Sequence, residues 1–318
     1  MIPAGDIPAV TVVIVTWNCR DLALRCLREL AAADLPGGRE VIVVDNASAD
    51  GTAAALAQAF PDVRVIANTA NTGFAAANNQ ALALARGRYA LLLNPDAFPT
   101  AADSLASLVA CLDADQRLAA AGCRLVHEDG RHQVGDAGWR PGFWSLSLHA
   151  LGLTQVLPRR LRGVFLVRPD ALGPGPVGVD WICGACMLVR MDAVRQVGGL
   201  DAGFFMYAED VEWGCRLRAA GLGVAYLPRS RVLHLQGGTQ GGVASTRWLD
   251  NLVRLHCVLN GRGSLPLLRP VLATGFALRA LAYRLVALRP GGAAARGRAR
   301  VMWQFARHAW RLAPGPVA

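Results

Sequence analysis

Along the first hundred residues, apolar positions come in short unbroken runs, and each run stops at a polar cluster. Val10 to Val15 is β-branched and continuous, and Thr16-Trp17-Asn18 closes it. Glu40 to Val44 leads to Asp45-Asn46-Ala47-Ser48, and Val63 to Ile66 leads to Asn68 to Asn71. Tyr89 to Leu93 ends abruptly in Asn94-Pro95-Asp96. Runs of this kind predict strands buried on both faces, as in a parallel sheet. Pro95 cannot donate to a ladder, so the fourth strand must stop there. Between the runs, Leu22, Leu24, Leu27 and Leu30 predict a helix over 20–33. An alanine-rich helix follows Asp50-Gly51-Thr52, and another spans 75–85 with Gly87 as its C-cap.

Alternating strands and helices with crossovers of this length imply parallel strands covered on both faces. All four polar endings then lie on one edge of the sheet and line a single cleft, where open α/β sheets bind ligands. The first strand–helix turn carries Trp17 and no G-x-G-x-x-G, which argues against a nicotinamide-type site. The chain has no lysine to serve a P-loop. A ligand here would be held by Asp, Asn and a metal.

Farther along, a helix within 101–120 leads to a strand at 118–125, and His127 to Val134 predicts a hairpin around Glu128-Asp129-Gly130. Residues 135–178 are rich in Gly, Pro, Trp and Arg without period and read as a long excursion of the lid or substrate-binding kind. A short helix over 192–197 precedes an aromatic, glycine-rich loop and a helix opening at Glu209-Asp210-Val211-Glu212. Acids in that first turn suit the helix dipole, and Glu212 with Arg216 makes a well-spaced i,i+4 pair. Asp210, at the loop–helix junction, is well placed to face a cleft and accept a proton. Two short strands, 224–227 and 231–233, follow, with His234 at the end of the second.

Charge changes the picture mainly in the tail. All 33 basic residues are arginine, and eleven of them lie beyond Asn251, where there is no acid. The periodicities of 247–259, 265–288 and 301–312 predict helices that mix arginine with Leu, Trp and Phe. Two readings stand together: a packed helical cap, and an interfacial surface for anionic lipid. Nucleic acid is not an expected partner. Arg279 and Arg284 interrupt the most apolar late stretch, which speaks against a spanning helix, and no signal peptide is expected. Of eight cysteines only Cys183 and Cys186 form a C-x-x-C pair, too few for zinc, so reduced structural thiols are expected.

Seven segments in order carry a family resemblance: Val12 to Asn18, Val43 to Ser48, Asn71 to Asn79, Leu93 to Asp96, Gly184 to Arg190, Phe204 to Trp213, and His234. Over residues 10–238 the chain resembles a family 2 glycosyltransferase of the bacterial rhamnosyltransferase- and galactofuranosyltransferase-like branch. The resemblance implies an α/β GT-A fold with a mostly parallel central sheet. It also implies inverting transfer from a nucleotide-sugar, dTDP-rhamnose-like or UDP-linked, helped by Mg²⁺ or Mn²⁺. Residues 1–240 would form the GT-A domain, with 1–100 as nucleotide-sugar half and 101–240 as acceptor half; 241–318 would be the basic helical region.

Carried over position by position, Thr16, Asn18 and Asp45 would bind base and ribose, while Asn71, Gly73, Asn79 and Asn94 would position the nucleotide-sugar. Trp181, Gly184, Glu209 and Trp213 would lie on the acceptor side. Asp96 and His234 would hold the metal, and Asp210 would be the general base. Many members of the family carry Asp where this chain has Asn94, which leaves one carboxylate in that motif. The implied acceptor is a glycan or a polyprenyl-linked sugar of the cell envelope, with the enzyme peripheral on the cytoplasmic face of the membrane. A nucleotidyltransferase fits less well, because no glycine-rich basic loop follows the first strand. A catalytically silent partner in a glycan-assembly complex is the other alternative.

Overall fold

The structure, a computed structural model, describes residues 7–156, 162–235, 245–289 and 292–314. The chain forms two compact units, residues 1–137 with 168–243, and residues 138–167 with 244–318. The expected division at 240/241 falls outside the described residues. Residues 138–167, within the expected excursion 135–178, group with the C-terminal helices and not with the acceptor half.

In the first unit, β1 (Val10–Thr16), α1 (Arg20–Ala32), β2 (Arg39–Asp45), α2 (Thr52–Ala59), β3 (Arg64–Ala67), α3 (Phe74–Leu82) and β4 (Tyr89–Leu93) alternate as the pattern predicts. Strand order is β3-β2-β1-β4, all parallel. Val12, Val13, Leu91 and Leu92 are fully buried, which is why these strands read as continuous apolar runs. Burying one such side chain stabilises the fold by about 1.5–3 kcal/mol.

The chain continues with β5 (Ala97–Pro99), α4 (Ala106–Ala114), β6 (Leu118–Val126), β7 (Ala137–Gly138), α5 (Phe143–Ala150, in the second unit), β8 (Val177–Gly178), β9 (Trp181–Ile182), β10 (Cys186–Arg190), α6 (Met191–Val197), α7 (Glu209–Ala219) and β11 (Gly223–His234). Strand β10 runs antiparallel to both β4 and β6, so the sheet becomes mixed beyond β4. Strand β11 is parallel to β6 and antiparallel to β5 and β8. The C-terminal end of β11 thus lies beside β5, with His234 paired to Ala97. This pairing brings His234 next to the Asn94-Pro95-Asp96 ending.

Two local expectations change. The two predicted strands 224–227 and 231–233 are one strand, β11, whose register shifts between Leu227 and Arg231. Pro228 lies in that interval and has no N–H to give the ladder, which makes one strand look like two in the sequence. Helix α3 stops at Leu82, so Gly87 is not its cap. Gly87 instead donates its N–H to Thr11 Oγ1 at 2.9 Å and lies so close that a Cβ would sit 2.5 Å from the Thr11 nitrogen.

The second unit packs α5, α8 (Arg247–Asn260), α9 (Leu265–Val286) and α10 (Ala293–Ala309). Helix α10 begins eight residues before the expected 301, because Ala293 to Arg300 is made of strong helix formers and one glycine. Edge-on and tilted aromatic contacts join His149, Phe165, Trp248, Phe276 and Phe305, at ring separations from 4.7 to 6.5 Å. Burial, with a smaller push from Arg279, lowers the His149 pKa to about 3, so the ring is neutral in this cluster. By length and composition α9 could cross a membrane, although 39% of its most apolar window is buried inside the protein. Its arginines do not lower the average enough to fail that test.

Gly87→Ala is expected to destabilise the first unit by about 1–3 kcal/mol, the range for overpacking against backbone that cannot move aside. Urea unfolding followed by tryptophan fluorescence measures it, and an unchanged midpoint would contradict the close approach of Gly87 to β1.

Candidate active site

The C-terminal ends of β1 and β2 are tied by side chains. Thr16 Oγ1 donates to Asp45 Oδ1 at 2.8 Å, Ser48 Oγ donates to the same oxygen at 2.6 Å, and Ser48 N donates to Asp45 Oδ2 at 3.0 Å. Ser48 Oγ in turn accepts from Asn18 N at 2.8 Å, while Asn18 Oδ1 accepts from Ala49 N at 2.7 Å. Thr16 is fully buried and Asp45 nearly so, whereas Asn18 is exposed. Thr16 therefore supports Asp45 from below and does not face a ligand. Asp45 has used three of its roughly four acceptor positions.

Asn46, named in the sequence only as part of a motif, is the hub of this edge. Its Nδ2 donates to Gly73 O at 3.1 Å, and its Oδ1 accepts from Asn68 Nδ2 at 3.0 Å and from Thr72 Oγ1 at 3.1 Å. Asn71 Oδ1 accepts from Gly73 N at 2.9 Å, an Asx turn that leads into α3. Gly73 has φ +86°, and a Cβ there would lie 2.6 Å from Phe205 O. Phe74 N donates to that same Phe205 O at 2.8 Å, which docks the loop before α7 onto the start of α3. Asn79 lies outside this set. Its Nδ2 donates to Leu200 O at 2.7 Å and its Oδ1 accepts from Leu200 N at 2.9 Å, so it clamps a loop backbone where a nucleotide contact was expected.

At the end of β4, Asp96 and His234 meet. His234 Nε2 lies 3.3 Å from Asp96 Oδ1 and 3.3 Å from Asn94 Nδ2. On the other side of the ring, Nδ1 is 2.6 Å from Gln133 Oε1, an amide oxygen that can only accept. That contact puts a proton on Nδ1 and leaves Nε2 as the ring nitrogen facing Asp96. Gln133 is buried and also donates to His234 O at 3.3 Å. Its loop is pinned by Asp136, whose Oδ2 accepts from Tyr226 Oη at 2.8 Å and Leu125 N at 3.2 Å and meets His132 Nε2 at 3.0 Å. Burial pushes the Asp136 carboxyl up, and these contacts oppose the push.

With Nε2 unprotonated, it and Asp96 Oδ1, 3.3 Å apart, would be two acceptors suited to a shared cation. Neighbouring ligands of an octahedral ion with bonds of ~2.1 Å lie roughly 3 Å apart. Asn94 Oδ1 is buried nearby without a hydrogen-bond partner, a third oxygen of the right kind. Among the described residues no group of three or more His, Cys, Asp or Glu is arranged to hold a metal. Asp96 and His234, with Asn94 Oδ1 beside them, are the groups that this strand end could offer a cation.

Asp210 stands at the start of α7 and keeps part of its surface open, while Glu209 beside it is buried. Asp210 Oδ2 accepts from Gly184 N at 3.0 Å, Oδ1 accepts from Val211 N at 2.8 Å, and the Cys183 thiol also bonds the carboxylate. Burial raises the Asp210 pKa against those three donors. Burial and the Asp210 charge raise the Glu209 pKa well above its ordinary value. Glu209 is therefore the protonated member of the pair, and its Oε2 has no partner. Asp210 is thus a partly exposed carboxylate made more basic by burial.

Asp210 and the Asp96–His234 pair are joined through backbone. Gly184 N binds Asp210, and next in the chain Ala185 O accepts from Asn94 N at 3.0 Å. The four non-glycine residues with positive φ among the described residues are Asn18, Ala47, Tyr207 and Ala208. All four lie in loops around this cleft, and strain of about 1–3 kcal/mol per residue is typical of functional sites.

Not every expected residue reaches the cleft. Trp181 and Trp213 are buried, and Trp213 Nε1 donates to Gly198 O at 2.9 Å. Gly214 brings the α7 backbone so close that a Cβ would lie 2.7 Å from Trp181 Cα. Both indoles are core that fixes α7, not acceptor contacts. Glu209 likewise acts from behind Asp210. Gln133 was missed, since nothing in a polar hairpin singles out one glutamine.

Because Glu209 is protonated in the fold and ionised when unfolded at neutral pH, its burial costs stability as pH rises above its ordinary value of 4.5. Glu209→Gln is expected to melt higher than the wild type at pH 7.5, with the gap closing toward pH 4. Melting curves across that range decide it, and a gap that widens on acidification would contradict the assignment.

The model of glycosyl transferase family 2 matches residues 11–170. The N-acetylglucosaminyl-diphospho-decaprenol L-rhamnosyltransferase of Mycobacterium tuberculosis is 33% identical over 231 residues, covering 67% of this chain and 73% of that protein. Among solved structures, a mannosyltransferase from Pyrobaculum calidifontis in complex with GDP-Man and Mn²⁺ superposes with a TM-score of 0.59 at 21% identity, over 97% of this chain and 84% of that one. GalNAc-T7 with UDP, GalNAc and Mn²⁺ gives 0.57 at 17% identity, over 79% and 48%. Sheet order, strand-end chemistry and these matches agree: the chain belongs to glycosyl transferase family 2 and has the GT-A fold.

Proposed function

We propose that the chain transfers a deoxyhexose of the rhamnose type from a dTDP- or UDP-sugar to a lipid-linked or glycan acceptor of the cell envelope, inverting the anomeric centre. The observation that carries this reading is the geometry of Asp210. A partly exposed carboxylate made more basic by burial is anchored through Gly184 to the strand end that holds Asp96. The mycobacterial relative, named for a decaprenol-linked acceptor, supports the acceptor class.

In this reading Asn18 and Asp45 receive the nucleoside at the β1–β2 edge, and the Asn46 network holds the loop of Asn71 and Gly73 in place around it. Asp96 and His234 would hold a divalent ion, Mg²⁺ or Mn²⁺, which supplies Lewis-acid neutralisation of the departing diphosphate. Gln133 keeps the His234 lone pair on Nε2 by accepting the Nδ1 proton. Asp210 takes the proton of the acceptor hydroxyl as its oxygen bonds to the anomeric carbon. The bond from that carbon to the diphosphate breaks, and the electron pair leaves with the nucleotide. Attack opposite the leaving group gives inversion. Glu209, protonated, adds no second negative charge beside the base. A lipid-linked acceptor places the enzyme at a membrane face.

Asp210→Asn is expected to keep nucleotide-sugar binding while losing ~10²–10⁴-fold in turnover, the usual contribution of a general base. Donor affinity by calorimetry and radiolabelled sugar transfer to a polyprenyl-diphosphate-linked N-acetylglucosamine measure the two quantities separately. Turnover within about threefold of wild type would remove Asp210 from its role.

A further inference from the structure

The C-terminal helices hold a feature that sugar transfer does not use. A groove of about 260 Å³ between α9 and α10 is lined by Ala280, Leu281, Arg284, Arg296, Ala299, Arg300 and Trp303. Its floor is the buried pair Ala280 and Ala299, small enough to let the two helices approach closely. Its rim is three exposed arginines, and its wall is Trp303, half exposed.

Nothing in the described structure neutralises that rim. None of Arg284, Arg296 and Arg300 forms an ion pair with a carboxylate among the described residues. The chain beyond Asn251 contains no acid that could serve. Arg296 also lies in the first turn of α10, where no acid is present. A positive charge there opposes the positive end of the helix dipole and costs stability unless an anion is bound. Three convergent guanidinium groups are suited to phosphate oxygens, which they can grip in bidentate fashion.

The surroundings specify which phosphate. Leu285 on α9, and Leu288 and Trp310 just past the ends of α9 and α10, are mostly exposed, at 68%, 82% and 61%. Apolar side chains and tryptophan interleaved with arginine mark a helix surface lying at the level of lipid headgroups. We propose that this groove binds the phosphate of an anionic glycerophospholipid, with its acyl chains against Leu281, Leu285 and Leu288. The inference rests on the membrane-face placement in the proposed function, but vesicle binding is read without donor, metal or acceptor.

The full-length chain is titrated with phosphatidylglycerol/phosphatidylcholine vesicles and with pure phosphatidylcholine vesicles. Arg284→Gln/Arg296→Gln/Arg300→Gln is compared with Arg289→Gln/Arg307→Gln/Arg311→Gln, which removes equal charge from outside the groove. A basic residue at an anionic surface contributes ~1 kcal/mol, so the groove variant is expected to bind roughly a hundredfold more weakly and the control less than about tenfold. Brominated phosphatidylglycerol is expected to quench the wild type, with most of the quenching lost in Trp303→Phe. Equal losses in the two triple variants, quenching unaffected by Trp303→Phe, or equal binding to pure phosphatidylcholine would each overturn the proposal. Release from the vesicles by millimolar inorganic phosphate at constant ionic strength would assign the groove to free phosphate and also overturn it. A chain that binds vesicles but transfers no sugar keeps the groove and sinks the proposed reaction; the converse outcome does the reverse.

Discussion

A sheet buried on both faces must settle its polar groups at its edges, and here the contact that settles the working edge is Thr16 Oγ1 to Asp45 Oδ1. It lies below the surface, 2.8 Å long, at the ends of two adjacent parallel strands. Ser48 and Asn18 close over it, and Asn46 passes the constraint to Gly73 and so to the loop of Phe205. Without it the loops after β1 and β2 would lose their common anchor, and the positive-φ residues Asn18 and Ala47 would lose what holds them. The cleft is a consequence of how the sheet ends.

Within that cleft the two acidic sites are prepared in different ways. Asp96 faces His234 Nε2, on the side of the ring opposite the nitrogen that Gln133 holds. Asp210 is held by three donors yet kept basic by burial, with a neutral Glu209 behind it. Like charges placed side by side cannot both ionise cheaply, so Glu209 keeps its proton and Asp210 is free to work. Asn94 puts an amide, not a second carboxylate, beside Asp96 and His234, and its Oδ1 has no hydrogen-bond partner.

Much of this was legible in the sequence where backbone chemistry alone decides the outcome. Continuous apolar runs identified β1 to β4, Pro95 ended β4, the polar endings placed Asp45 and Asp96 on one edge, and the loop–helix junction singled out Asp210. Other features depended on tertiary contacts. Trp181 and Trp213 carry the same motif signal whether they face a ligand or the core, and only the close packing at Gly214 sends them inward. Asn79 sits in a motif of small and amide residues, yet Leu200, 121 positions away, uses up its side chain. Gln133 is silent in sequence because its role exists only after β11 brings His234 across the sheet. Strand β5 and the join across Pro228 were hidden because prolines mark strand ends in short windows and edge pairings in folded sheets.

The central claim is that Asp96 and His234 form half of a metal site that a nucleoside diphosphate completes. Electron spin-echo spectroscopy of Mn²⁺ with the enzyme, with and without UDP or dTDP, tests it most directly. The account predicts weak binding of Mn²⁺ alone and tight binding with the diphosphate, with both ³¹P coupling and a single ¹⁴N coupling that disappears in His234→Ala. Tight binding without nucleotide, or a bound ion with no nitrogen coupling, would contradict it.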